Sequence, residues 1–176
     1  MKYSIVLIAI VITILLLYAF HAKKKALFHD GITFSNLIIE TKIGRQRFLP
    51  DSTRPMIIIW FQPECEKCQY QLTMLNKNMG ILEEIRFFFI SPDTNLFKNK
   101  YTSIWPNLTQ SKSVSFGIID KSRFVAEFGP VVTPSLLFFN EVGALKEILY
   151  GEAKLEKILH LIHKNSIAKE TKSGSN

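Results

Sequence analysis

The sequence predicts an α/β domain, a central mixed β-sheet flanked by helices and preceded by one N-terminal transmembrane helix. Three observations predict it. The continuous apolar run Met56-Ile-Ile-Ile-Trp-Phe61, and Ile85 to Ile90, in which Arg86 is followed by Phe87-Phe88-Phe89-Ile90, have the β-branched and aromatic content of strands covered on both faces. Segments with helical apolar spacing alternate with these runs, which is the pattern of helices packed on a sheet. The chain opens with a stretch from Tyr3 to Phe20 that carries no charge at all.

That opening stretch, as a helix, covers about 27 Å at 1.5 Å per residue, close to the roughly 30 Å of a bilayer's hydrocarbon core. A core helix of a small domain keeps a polar face, and this stretch has none. A cleaved signal peptide fits less well than an uncleaved anchor. Only Lys2 forms a basic n-region, and Leu17 and Phe20 occupy the positions two before Ala19 and Ala22, where a small residue is wanted. Lys2 on one side and Lys23, Lys24 and Lys25 on the other leave orientation open. Residues 1–25 are therefore expected to be an anchor with a basic stub, residues 26–36 a linker, residues 37–163 the folded domain and residues 164–176 a disordered tail.

Within the domain, Leu37 to Thr41 and Gln46 to Leu49 flank a Lys42-Ile-Gly-Arg45 turn, as in a hairpin. Pro55 precedes the first buried strand, Met56 to Phe61, which ends at Gln62-Pro63. From Cys65 the spacing of Leu72, Leu75 and Met79 predicts a helix, with Gly80 as its C-cap. The second buried strand, Ile85 to Ile90, leads into Ser91-Pro-Asp-Thr94, which has the composition of a helix start reaching Lys98 to Tyr101, followed by a polar connector from Thr102 to Ser113. Lys121 to Phe128 reads as a short helix closed by Gly129. Pro134 to Phe139 and Leu145 to Tyr150 read as strands joined by an Asn140-Glu-Val-Gly143 turn. Leu155, Ile158, Leu159 and Ile162 make one face of a last helix from Glu152 to His163.

The 176 residues are 47% hydrophobic and carry 22 Lys and Arg against 15 Asp and Glu, for a formal net charge of +7. Such a balance invites a nucleic-acid reading until the charges are located. Lys2 and Lys23 to Lys25 hold four of the positive charges without a single acid, the tail from Lys164 adds a net +2, and residues 26–163 are nearly neutral. The excess therefore suits phospholipid headgroups beside an anchor, and nucleic acid is not expected as a partner. Two cysteines exclude a disulfide-dense scaffold and an all-thiolate zinc site.

Those cysteines, Cys65 and Cys68, sit where a buried strand passes into a helix. Spacing of three at a helix start puts both sulfurs on one side, within reach of a small reversible disulfide ring. A sulfur in the first turn points at unsatisfied backbone N–H groups and the positive end of the helix dipole, which favours thiolate and makes Cys65 the natural nucleophile. Cys68, one turn in and more buried, is suited to resolve the mixed disulfide. Lys67 assists the thiolate while Glu64 and Glu66 oppose it.

Trp60-Phe-Gln-Pro-Glu-Cys-Glu-Lys-Cys68 at the end of an apolar strand, Val132-Thr-Pro-Ser135 opening another, and a Gly-containing hairpin followed by a C-terminal helix together resemble the thioredoxin superfamily. The closer resemblance is to its membrane-anchored, TlpA-like branch of thiol-disulfide oxidoreductases, related to the AhpC/TSA redoxins, and it covers about residues 34–163. The N-terminal hairpin and a segment between Cys68 and Pro134 long enough for an inserted strand and helix also fit that branch. The resemblance implies a thioredoxin-like fold, no cofactor, and a redox-active Cys65–Cys68 disulfide whose potential is tuned by Glu66 and Lys67. It also implies a cis Pro134 lying against that disulfide, with Thr133, Pro134, Trp60 and Pro63 receiving the substrate. The implied partners are protein thiols and disulfides and an upstream membrane or soluble thiol reductant. The implied place is the periplasmic or extracellular side of the membrane, with the domain working as a reductant.

Departures from the pattern are informative. A typical thioredoxin carries a buried Asp six residues before the first cysteine, where this chain has Ile59, and its Trp-Cys-Gly-Pro-Cys sequence is absent. Other readings of the pair are a zinc site completed by His160 and His163, a Sco-like copper-binding assembly factor and a peroxiredoxin-like peroxidase. The Sco family separates its cysteines by three residues, and a peroxiredoxin has Thr where this chain has Gln62.

Overall fold

The computed structural model describes residues 11–15, 37–47, 54–97 and 101–167. The chain divides into two compact units, Met1–Gly31 and Ile32–Asn176. In the first, residues 11–15 are helical and exposed. The rest of the expected anchor, the basic stub and the 26–36 linker lie outside the described residues. Among the described residues no helix is long and apolar enough to cross a membrane.

The second unit is one sheet with helices on both faces. Its elements in chain order are β1 (Ile38–Thr41), β2 (Gly44–Arg47), β3 (Met56–Trp60), α1 (Glu66–Lys77), β4 (Arg86–Ser91), α2 (Tyr101–Ile104), α3 (Pro106–Gln110), β5 (Val114–Ile118), α4 (Lys121–Phe128), β6 (Ser135–Phe139), β7 (Leu145–Tyr150) and α5 (Leu155–Ile167). The strand order is β2-β1-β5-β4-β3-β6-β7. β3, β4 and β5 run parallel, while β6 pairs antiparallel with β3 and β7, and β1 antiparallel with β2 and β5. The sheet is thus mixed, as expected.

Strand alternation sorts the core into two layers. Ile57, Ile59, Phe87, Phe89, Leu136 and Phe138 face one way and pack with Leu72 and Leu75 of α1 and Ile158 and Leu161 of α5. Met56, Ile58, Trp60, Phe88, Ile90, Leu137 and Phe139 face the other way and pack with Phe124 and Phe128 of α4. All five residues of β3 and all five of β6 are buried, so the centre of the sheet is covered on both faces.

Several boundaries differ from the sequence reading for physical reasons. The first hairpin turns on Lys42–Ile43, and β2 already begins at Gly44. Helix α1 stops at Lys77 with Asn78 as C-cap, its N–H bonded to the Leu75 carbonyl, and Gly80 lies in a following 3₁₀ turn, Met79–Ile81. Residues 92–97 form turns instead of starting a helix, because the Asp93 carboxylate accepts from the Asn95 N–H and turns the chain there. The expected connector from Thr102 to Ser113 is largely helical: α3 starts on Pro106, and the Asn76 side chain of α1 accepts from the N–H groups of Asn107 and Leu108. Strand β5 then fills the room left between Cys68 and Pro134. The last helix begins at Leu155 and continues to Ile167, past His163. Helix α4 matches its expected span, capped by the Asp120 side chain at the Ser122 N–H and closed by Gly129.

β5 is where the N-terminal hairpin meets the rest of the sheet. A Cβ placed on Gly117 would lie 3.0 Å from Cδ1 and 3.3 Å from Cβ of Ile39, which is itself buried in the layer facing α4. The close approach of β1 to β5 therefore depends on a missing side chain. Gly117→Val is expected to cost about 1–3 kcal/mol by overpacking. Urea unfolding measures the loss, and faster hydrogen exchange in β1 and β2 than in β3 and β6 would locate it in the hairpin.

Candidate functional site

The site forms where β3 leaves the sheet. Phe61 is still buried and its N–H bonds the Ile90 carbonyl, so the chain stays pinned to β4 for one more residue. Gln62 to Glu64 then turn, with the Cys65 N–H donating to the Gln62 carbonyl at 3.1 Å. Cys65 is the N-cap of α1: its backbone is extended, and its sulfur accepts from the Cys68 N–H at 3.3 Å. This hydrogen bond holds the Cys65 sulfur at the N-terminus of α1.

Cys65 is half-buried and Cys68 is 1% exposed, and both are free thiols. Cys68 lies among Ile59, Phe61 and Leu72 in the layer shared with α1 and α5. Burial first, then the hydrogen bond and charge of Cys65, push the Cys68 thiol from 9.0 up to about 12. The two thiols therefore differ in kind, one capped by a donor and reachable, the other sealed and neutral.

Thr133, half-buried, meets the reachable sulfur through its carbonyl, and Pro134 next to it is buried. The Cys65 thiol donates to the Thr133 carbonyl at 3.8 Å, and the Thr133–Pro134 peptide is cis. The Pro134 carbonyl accepts from the Gly151 N–H at 2.8 Å, which ties this loop to the end of β7. Ser135 is fully buried and its hydroxyl donates to the Val132 carbonyl at 2.6 Å, whereas Val132 itself is 54% exposed. A half-buried Thr133 and an exposed Val132 thus border the reachable sulfur.

Glu66 and Lys67 are exposed on the first turn of α1, where Glu66 complements the positive helix end. Pro63 is buried; its carbonyl accepts from the Gln69 side chain at 2.8 Å, fixing the turn before Cys65. Trp60 requires a correction. It is 1% exposed and stacks on Phe124 with ring centroids 4.3 Å apart, in the layer facing α4, opposite to that of Cys68. Strand parity assigns it to the core with Met56 and Ile58, so it offers no surface to a substrate. His160 and His163 are exposed on α5, and among the described residues no three His, Cys, Asp or Glu side chains assemble as a metal-ligand set.

One site-adjacent residue escaped the sequence reading. Gln71, three positions after Cys68, is fully buried, and its carbonyl oxygen accepts from the Ala153 N–H at 2.7 Å. Its only sequence signal is a polar residue beside Leu72 on the apolar side of α1.

The raised Cys68 thiol gives a direct test. In a Cys65→Ala variant, which removes the hydrogen bond and charge of Cys65 but leaves the burial, alkylation of Cys68 by iodoacetamide at pH 8 is expected to run at least about tenfold slower than that of a free peptide thiol. Unfolding in urea should restore the ordinary rate. Mass spectrometry of quenched samples reads both, and a native rate equal to the free-thiol rate would contradict the sealed geometry.

No family model and no curated protein matches the chain. Solved structures do. A peroxiredoxin-like protein from Aquifex aeolicus aligns with TM-score 0.60 at 10% identity, over 75% of this chain and 84% of that one. A secreted disulfide oxidoreductase from Mycobacterium tuberculosis aligns with TM-score 0.59 at 11% identity, over 73% of this chain and 96% of that one. The exposed lipoprotein thioredoxin Etrx1 from Streptococcus pneumoniae aligns with TM-score 0.59 at 13% identity, over 74% of this chain and 99% of that one. Taken with the strand order, these similarities show that the described residues of the second unit adopt a thioredoxin-like fold.

Proposed function

We propose that the chain is a thiol-disulfide oxidoreductase that exchanges electrons with protein thiols and disulfides through Cys65 and Cys68. The observation that carries this reading is the asymmetry of the pair: a reachable sulfur capped by the Cys68 N–H beside a cis-proline loop, and a second sulfur buried one helical turn behind it. In the reducing direction the Cys65 thiolate attacks a substrate disulfide, forming a Cys65–substrate bond and expelling one substrate thiolate. Cys68 then gives up its proton, and its sulfur attacks Cys65, closing the intramolecular disulfide and releasing the second substrate thiolate. Two electrons pass from the cysteine pair to the substrate, and the protons lost by the pair reappear on the substrate thiols.

Thr133 and Pro134 would receive an extended substrate segment along the loop that borders Cys65, with Pro63 supporting the turn behind the nucleophile, and Glu66 and Lys67 would tune the potential. We place the domain on the non-cytoplasmic side, tethered through residues 3–20 and working as a reductant recharged by a membrane or soluble thiol donor, in the manner of the TlpA-like branch that it resembles. The uncharged N-terminal stretch supports the tether. The similarity to one secreted and one exposed protein agrees with the side. The similarity to a peroxiredoxin-like structure favours a peroxidase as the second reading, against which Gln62 stands in place of the Thr that such enzymes carry.

A Cys68→Ser variant separates these readings. It should accumulate mixed disulfides with protein partners through Cys65, visible as bands on a non-reducing gel that dithiothreitol removes, and Cys65→Ser should accumulate none. Failure of the Cys68→Ser variant to trap partners, together with stoichiometric copper or rapid peroxide consumption by the unmodified protein, would overturn the exchange reading.

A further inference from the structure

Resolution of a mixed disulfide requires the sulfur of Cys68 to become an anion inside an apolar layer. In the thioredoxin pattern a buried carboxylate serves this step, and here its position is filled by Ile59, fully buried in the same layer as Cys68. Burying an unsolvated charge costs several-fold more than burying a neutral thiol; backbone hydrogen bonds from Gln62 and Cys68 already favour the Cys68 anion, and a side-chain donor would add to them. Gln71 is the buried polar residue that shares the helix with Cys68. It follows Cys68 by three residues, so the two side chains lie on one face of α1, and long helical side chains lean back over the turn that precedes them. Its two polar atoms are treated unequally. The carbonyl oxygen is fixed by the Ala153 N–H at 2.7 Å, while Nε2 is buried without a partner among the described residues. Buried donors of this kind are uncommon and call for a reason.

Four contacts close a circuit around the pair. The Cys65 sulfur meets the Cys68 N–H and the Thr133 carbonyl, the Pro134 carbonyl accepts from the Gly151 N–H, the Ala153 N–H donates to Gln71, and Gln71 stands one turn after Cys68. The side chain is thereby anchored at its oxygen to the same loop system that holds the cis-proline, leaving the amide N–H groups as the free end.

We propose that Gln71 is the positioning residue of the resolving step, supplying amide N–H donors, directly or through one water, to the Cys68 sulfur as it becomes a thiolate. This rests on the thiol-disulfide exchange reading above. The covalent step is unchanged: the Cys68–Cys65 bond forms, the bond from Cys65 to its partner breaks, and the electron pair leaves on the partner's sulfur. Gln71 takes no proton; it stabilises the anion that attacks.

The test uses the reduced full chain and an aromatic disulfide, 5,5′-dithiobis(2-nitrobenzoate), followed by stopped-flow absorbance at pH 8. The first equivalent of thionitrobenzoate reports attack by Cys65 and the second reports resolution by Cys68. Gln71→Glu keeps an acceptor for the Ala153 N–H but removes the donors, and Gln71→Met removes both. Both variants are expected to slow the second phase about tenfold or more, the size of one hydrogen bond to a charged group, with the first phase within about twofold of the unmodified protein. A second phase as fast as, or faster than, the unmodified rate in Gln71→Glu would overturn the proposal and leave Gln71 a structural tie to Ala153 or its carboxylate replacement a better proton acceptor. Equal slowing of both phases would overturn it in favour of general loosening of the site. Release of only one equivalent by the unmodified protein would instead count against the exchange reading itself.

Discussion

One sulfur capping one helix is the interaction on which the site depends. A helix start normally takes Ser, Thr, Asp or Asn at the N-cap, whose oxygen satisfies an orphan N–H strongly. Cys65 fills that place with a weaker, larger acceptor. The helix start is held by other means: Glu66 in the first turn and the Gln69 side chain reaching back to the Pro63 carbonyl. Because the backbone is held from both sides, the sulfur can leave its N–H donor, bond a partner and return without unravelling α1. The same N–H belongs to Cys68, so the nucleophile is oriented by the backbone of the residue that later displaces it.

Packing sets the remaining conditions. β3 is covered on both faces, which makes it stiff, and the chain leaving it delivers Cys65 at a defined height above the sheet. β6 lies beside β3 with Trp60 opposite Ser135, so the cis-proline loop preceding β6 and the cysteine loop following β3 emerge at the same end of neighbouring antiparallel strands. That adjacency is what brings the Thr133 carbonyl to the Cys65 sulfur across 68 positions of sequence. Proximity of the two loops is thus a property of strand pairing, and it does not depend on the sequence of either loop.

Much of this was legible in the residues because burial writes a strong signal. Met56 to Phe61 and Leu136 to Phe139 are apolar throughout, and nothing but a two-sided interior accommodates them; Lys121 to Phe128 carries its stop in Gly129. β5 was harder to see, since Val-Ser-Phe-Gly-Ile is half-buried and interrupted by the glycine that lets β1 approach. The short helices α2 and α3 lack an apolar period of their own, and α3 is held by Asn76 from another helix, a tertiary effect. Trp60 departs from the substrate role the resemblance implied because alternation along the strand turns it toward Phe124. Gln71 was missed because its meaning lies in a partner, the Ala153 N–H, that is 82 positions away.

The two-layer core also divides the chain's freedom to change. Cys68 belongs to the layer shared with α1 and α5, so any altered volume there changes the surroundings of a sulfur that must ionise. The layer beneath α4, with Phe124, Phe128 and Phe139, touches no reacting atom, and its substitutions weigh on folding alone. A lineage adjusting its redox behaviour and a lineage adjusting its thermal tolerance would therefore draw on opposite sides of the same sheet, and each could drift with little consequence for the other.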